Sequence, residues 1–157
     1  MYLSGDLIIS GNLVVSSGTF DIESNNVDVV GSTTNDGVLK IGSGTLDTEG
    51  SFSTNNGTIT FNGAGRLEIG GSATSFGSMT NTIGTVVYDG GNQNILPDSY
   101  FNLEIDGLGV KTLPPNSFTI NGDLNLNSTS LSYNATVTNR TMSIKGCLLY
   151  TSPSPRD

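Results

Sequence analysis

The sequence predicts an all-β chain wound into a parallel β-solenoid with three sides and about seven rungs of about 19 residues each. Three observations carry the prediction. Apolar residues recur in three interleaved series that share one period, Gly and Asn punctuate the short alternating segments between them, and the composition suits a thin, turn-rich core. Only 34% of the 157 residues are hydrophobic and 21 are Gly, yet Val, Ile, Leu and Phe fall at regular intervals, which a disordered chain has no reason to maintain.

The first series pairs Leu7 with Ile9, Val27 with Val29, Leu46 with Thr48, Leu67 with Ile69, Val86 with Tyr88, Leu103 with Ile105, Leu124 with Leu126 and Met142 with Ile144. Within each pair a period of two sends the named residues inward and the residue between them outward. A second, weaker series begins at Leu13 and returns at Phe52 and Leu131. The third runs through Phe20, Leu39, Ile59 and Met79, skips a rung, and resumes at Phe118 and Val137.

Corners follow from the stretch "GTLDTEGSFSTNNGTITF", in which Gly44, Gly50 and Gly57 each precede an alternating segment. They are read as three successive corners of one rung, supplying the positive φ of sharp turns. Each side holds about four residues in strand conformation, and rungs stacked at about 4.8 Å give a length on the order of 35 Å. An antiparallel sandwich would explain "NNGT", "FNGAG" and "INGD" as hairpin turns but not three registers of one period.

Composition bounds the partners. The formal net charge is −8, with six Lys and Arg in all, so nucleic acid is not an expected partner. No apolar run reaches the roughly 18 to 20 residues that cross a bilayer, and "MYLSGDLIIS" has neither a basic n-region nor a small-residue cleavage site. No membrane insertion and no signal peptide are therefore expected from these residues. After Gly146 the periodicity lapses into "CLLYTSPSPRD", which holds the only Cys and resembles the translation of a transposase-type sequencing adapter over its whole length. The expected organisation is a solenoid fragment over 1–146, uncapped at both ends, and a non-native tail over 147–157. Uncapped ends expose sheet edges, so end-to-end self-association of the fragment is expected.

The segment 84–131 is more specific. Its "GTVVYDGGNQ", "YFNLEIDGLGVKTL" and "TINGDLNLNS" resemble a module of large bacterial secreted and cell-surface proteins, and the remainder is similar to haemagglutinin-type adhesin and autotransporter passenger repeats. The resemblance implies a right-handed coil, export to the bacterial surface, a stalk or adhesive role toward a glycan or other host or cell-surface ligand, and no catalytic residues.

Two constellations are candidate sites. Stacking at this period places Asp28, Asp47 and Glu68 on neighbouring rungs of the first side, within the outward column Ile8, Asp28, Asp47, Glu68, Val87, Glu104, Asn125 and Ser143. Such carboxylates could share a calcium ion through oxygen ligands or form a solvated acidic stripe, and the stripe is the expectation. The calcium-binding nonapeptide pattern is absent, since "GAGRLEIGG" lacks the Asp. On the third side Thr58, Thr60, Thr80, Thr119, Thr136 and Thr138, with Ser78 and Ser117, suggest a hydroxyl ladder of the kind that can match an ice lattice, although Asp21 and Lys40 interrupt it. Thr is also a favoured strand residue, so a plain solvent face is the expectation here.

An enzyme is not expected. Solenoid polysaccharide lyases and hydrolases use clustered Asp, an Arg or Lys base, or a His beside paired carboxylates; this chain has no His and no Asp-Asp pair. Arg66, two residues from Glu68 on one face, reads as an ion-pair partner. No cofactor motif is present, and the Asn-x-Ser/Thr triplets at Asn56, Asn127, Asn134 and Asn139 match what an Asn-rich and Ser/Thr-rich chain produces by chance. The expected function is thus a structural or adhesive solenoid segment, with the stalk or body of a polysaccharide-active enzyme as the alternative.

Overall fold

The computed structural model describes residues 1–127, 130–132 and 141–150, and over them the chain is a parallel β-solenoid of about seven turns with no helix. Every strand pairing among the described residues is parallel. The first wall is one sheet of eight strands: β1 (Leu7–Ile9), β4 (Val27–Val29), β7 (Thr45–Thr48), β9 (Arg66–Ile69), β11 (Thr85–Tyr88), β14 (Asn102–Ile105), β17 (Leu124–Leu126) and β20 (Leu148–Tyr150). Leu46 faces Leu67 and Leu67 faces Val86 in register, so the first apolar series becomes a buried column.

The second and third walls begin as separate strands. β2 (Leu13–Val15) and β5 (Thr33–Asn35) lie on the second wall, and β3 (Thr19–Asp21) and β6 (Val38–Ile41) on the third. They then merge, because β8 (Phe52–Phe61) and β10 (Ala73–Asn81) each run across both walls. Beyond β10 the walls resume as two sheets of three strands. One holds β12 (Gln93–Asn94), β15 (Val110–Thr112) and β18 (Ser130–Ser132); the other holds β13 (Ser99–Tyr100), β16 (Phe118–Ile120) and β19 (Met142–Ile144).

Three expectations need correction. Met142 and Ile144 belong to the third wall, opposite Phe118 and Ile120, and Ser143 therefore leaves the acidic column. Among the described residues the last strand of the first wall is instead β20, which pairs with β17 through Leu124 and Leu148. The physical cause is a longer last turn: Phe118 to Met142 spans 24 residues, whereas Leu46 to Leu67 spans 21. A fixed period near 19 therefore lands on the wrong wall.

The third correction concerns corner glycines. Gly44 and Gly50 lie at corners, but Gly57 lies inside β8, and none of the three has positive φ. Close approach explains them better. A Cβ on Gly50 would stand 2.6 Å from the carbonyl oxygen of Gly31, and one on Gly57 would stand 2.6 Å from that of Gly37. Stacked corners leave no room for a side chain because each amide reaches the rung before it, as Gly31 N to Gly11 O at 3.0 Å and Gly50 N to Gly31 O at 3.0 Å.

Polar residues complete the corners. Asp6 Oδ1 accepts from Asn26 N at 2.7 Å, and Asn26 Oδ1 accepts from Thr45 N at 3.3 Å. At the next corner Asn12 Oδ1 accepts from Ser32 N at 2.8 Å, and Ser32 Oγ from Ser51 N at 3.1 Å. The Asn and Ser content thus satisfies backbone donors that the strand ladders do not reach.

The core is aliphatic, with an aromatic spine. Phe52, Phe76, Tyr100 and Phe118 stack along the axis at ring-centroid spacings of 5.9, 6.3 and 6.2 Å. Tyr100 fills the rung skipped by the third series. Its hydroxyl donates to Leu96 O at 2.7 Å and lies 3.2 Å from that of Tyr88, which accepts from Leu96 N. Both buried phenols are therefore partnered, and burial pushes Tyr88 up to about 12.

Candidate functional site

The outward face of the first wall carries the strongest electrostatic feature. Parallel register stacks Ile8, Asp28, Asp47, Glu68, Val87, Glu104, Asn125 and Leu149 in one column. The expected neighbours Asp28, Asp47 and Glu68 do stack, but the tightest group is a different one. Carboxylate oxygens of Asp47, Glu68 and Asp89 lie within 4.8 Å of one another.

Sequence reasoning missed Asp89 because it falls one residue past β11. The signal was available: Asp89 is two residues from Val87 and so on the same face, and its amide still donates to Ile69 O at 3.3 Å.

Burial and charge crowding act together here. Partial burial, then the charges of Asp89, Glu68, Asp28 and Glu49, push the Asp47 carboxyl from 3.8 up to about 6. Burial and Glu68 likewise raise Asp89. One buried oxygen of Asp28 and one of Asp89 have no hydrogen-bond partner. The stripe is therefore less solvated than a fully exposed row of acids. Beside it lies a shallow depression of about 480 Å³ bordered by Ile8, Asn26, Asp28, Asp47 and Glu68.

Arg66 is the counter-charge. Its Nε donates to Glu68 Oε1 at 2.6 Å and a terminal nitrogen donates to Glu104 Oε2 at 3.2 Å, so it clamps three rungs across Val87. This is the ion-pair role read from the sequence. It also takes one oxygen of Glu68, leaving the cluster with few free ligands against the about six to eight oxygens of a calcium shell.

The hydroxyl ladder is short. Thr58 and Thr60 stand in register with Ser78 and Thr80, while Val38, Lys40 and Asp21 occupy the preceding rungs. Asp21 is buried and lies 4.0 Å from the Lys40 ammonium. Thr119 is in a different sheet, between Ser99 and Ser143. Thr136 and Thr138 lie outside the described residues.

The weak second series conceals two buried polar groups. Its inward positions between Leu13 and Leu131 are Thr33, Phe52, Ala73, Gln93 and Lys111. The Gln93 amide donates to Ile69 O and Gly71 O at 2.6 Å each and accepts from Gly90 N at 3.0 Å. One rung on, the fully buried Lys111 donates to Gly90 O, Gly91 O and Leu108 O at 2.6, 2.9 and 3.1 Å. Both satisfy carbonyls at the corner of the rung beneath, and burial lowers the Lys111 ammonium from its usual range. Only their spacing from Ala73 marks them in the sequence.

No family model matches the chain, and neither curated proteins nor solved structures include a match to it.

Proposed function

We propose that this chain is a structural and adhesive segment of a bacterial protein exported to the cell surface. The first wall carries the reading: eight parallel strands in continuous register form one stiff face about 34 Å long at the standard strand spacing. Solenoids of this kind present extended surfaces on which many weak contacts add up. Export, bacterial source and adhesive use rest on the resemblance of "GTVVYDGGNQ" and "YFNLEIDGLGVKTL" to surface-protein modules. A non-catalytic role is part of this reading, supported by the commitment of Arg66, the cation beside the carboxylate group, to two glutamates.

One observation favours a second reading, the body of a polysaccharide-active enzyme. Asp47, at about 6 beside Glu68 and Asp89, is the kind of perturbed carboxyl that acid–base chemistry uses. Two assays on the same protein separate the readings. Retention on immobilised glycans or cell surfaces without depolymerisation supports adhesion. Release of reducing ends that Asp47→Asn abolishes would replace it with the enzymatic reading.

A further inference from the structure

The second wall contains a break that the first wall does not. Between β10 and β12 no strand pairing joins the two halves of this wall among the described residues, although β9 and β11 pair without interruption alongside. Beside the break lies a cleft of about 340 Å³, bordered by Ser72 on one side and by Asn92, Gln93, Asn94, Val110 and Thr112 on the other. Its volume falls within the roughly 300 to 1,000 Å³ of ligand pockets.

The lining is neutral throughout. Two amides, Asn92 and Asn94, and two hydroxyls, Ser72 and Thr112, surround the half-exposed aliphatic face of Val110. Lys111 beneath contributes no accessible charge because its ammonium is turned into the corner, onto three carbonyls. No hydrogen bond to another described residue engages the side chains of Ser72, Asn94 or Thr112, so their donors and acceptors face the cleft unspent.

The floor is held by hydrogen bonds. Gln93 is buried and fixed by two bonds to Ile69 O and Gly71 O of the rung beneath and one from Gly90 N, and Asn92 Oδ1 accepts from Val110 N at 2.8 Å. These bonds fix the backbone from which Asn94 projects, so a ligand meets a floor that is already ordered. The same Gln93 argues against an added peptide strand: its amide already takes Gly71 O, at the start of the backbone edge that such a strand would need.

We infer that this cleft binds a neutral saccharide. A sugar ring offers hydroxyls that both donate and accept, matching the alternating amides and hydroxyls, and a C–H face that can lie on Val110. The inference rests on the adhesive reading and names the site for it.

The test uses the full chain on an array of neutral and charged oligosaccharides, followed by calorimetry with the best neutral ligand. Asn94→Ala combined with Thr112→Ala is compared with Thr34→Ala, an outward position on the same wall remote from the cleft. The expected result is binding of a neutral glycan that falls at least roughly tenfold in the double variant and is unchanged in the control, with equal melting temperatures. Neutral-glycan binding that ignores the double variant would overturn the cleft assignment and leave adhesion standing. So would binding confined to charged glycans or to peptides. Failure to bind glycans, peptides and cell surfaces alike would remove the adhesive reading itself.

Discussion

Asp47 and Glu68 face one another in register on adjacent strands of the first wall, their carboxylates within 4.8 Å, and Asp89 closes the group. Stacking at fixed register forces such like-charged neighbours together, and the molecule answers with an arginine clamp on Glu68 and an upward shift of Asp47.

That shift makes stability depend on pH. The folded chain holds a proton on Asp47 up to about pH 6, while the free side chain releases it near 3.8. Folding is therefore favoured by proton uptake: stability rises as pH falls through about 6, and the gain from this group is complete below 3.8. Melting temperature measured from about pH 8 downward should climb toward about pH 5. Asp47→Asn should raise it at the alkaline end and flatten the slope. Millimolar calcium against chelator should leave it unchanged, since the cluster offers too few free oxygens; a calcium-dependent rise would instead assign the group as a metal site.

Glycine at stacked corners is required by space. Gly11 heads the column Gly11, Gly31, Gly50 and nothing lies within 4 Å of where its Cβ would be, whereas the Cβ of an alanine at 50 would press on Gly31 O at 2.6 Å. Gly50→Ala should lower stability by about 1 to 3 kcal/mol in urea unfolding, and Gly11→Ala by less than about 0.5. Equal effects would return the glycines to a purely conformational role.

Inward and outward positions on the third wall should differ sharply. Ile59 is fully buried, while Thr60 faces out between Lys40 and Thr80 in register. Ile59→Asp should cost more than about 4 kcal/mol by burying an unpaired charge, and Thr60→Asp should stay within about 0.5 kcal/mol. Circular dichroism melts of the two variants decide it.

The first rung supports end-to-end association. Met1 to Leu3 pair with the third wall near Asp21, but among the described residues no strand pairs with the outer edges of β1 and β2, and Leu7, Ile9, Leu13 and Phe20 line an open hollow of about 390 Å³. Leu7 N bonds inward to Asn26 O, so by strand alternation the amide of Ile8 points to the free edge. Sedimentation should show concentration-dependent oligomers that Ile8→Pro suppresses without unfolding the monomer. A parent chain that is monomeric at all concentrations would refute the prediction.

Much of this architecture was legible because buried side chains must repeat when rungs stack. The Leu7, Val27, Leu46, Leu67, Val86, Leu103 and Leu124 column follows directly from spacing, as do the register of Asp28 with Asp47 and the ion-pair role of Arg66. What escaped has two physical causes. Turn length is not fixed, so the longer last turn moved Met142 to another wall and hid β20. Polar side chains can replace apolar ones where they reach a corner carbonyl, so Gln93 and Lys111 broke the pattern without breaking the stack. The break in the second wall, and with it the neutral cleft, depends on a missing ladder between β10 and β12 that no residue pattern announces.

The central claim, that successive rungs stack in parallel with Asp28 directly over Asp47, is tested most directly by disulfide trapping in a Cys147→Ser background. Asp28→Cys paired with Asp47→Cys should oxidise readily, because adjacent strands hold their Cα atoms within the about 4.4 to 6.8 Å that a disulfide spans. Asp28→Cys paired with Glu68→Cys, two strands apart, should not. Rapid closure of the second pair in preference to the first would contradict the stacked register.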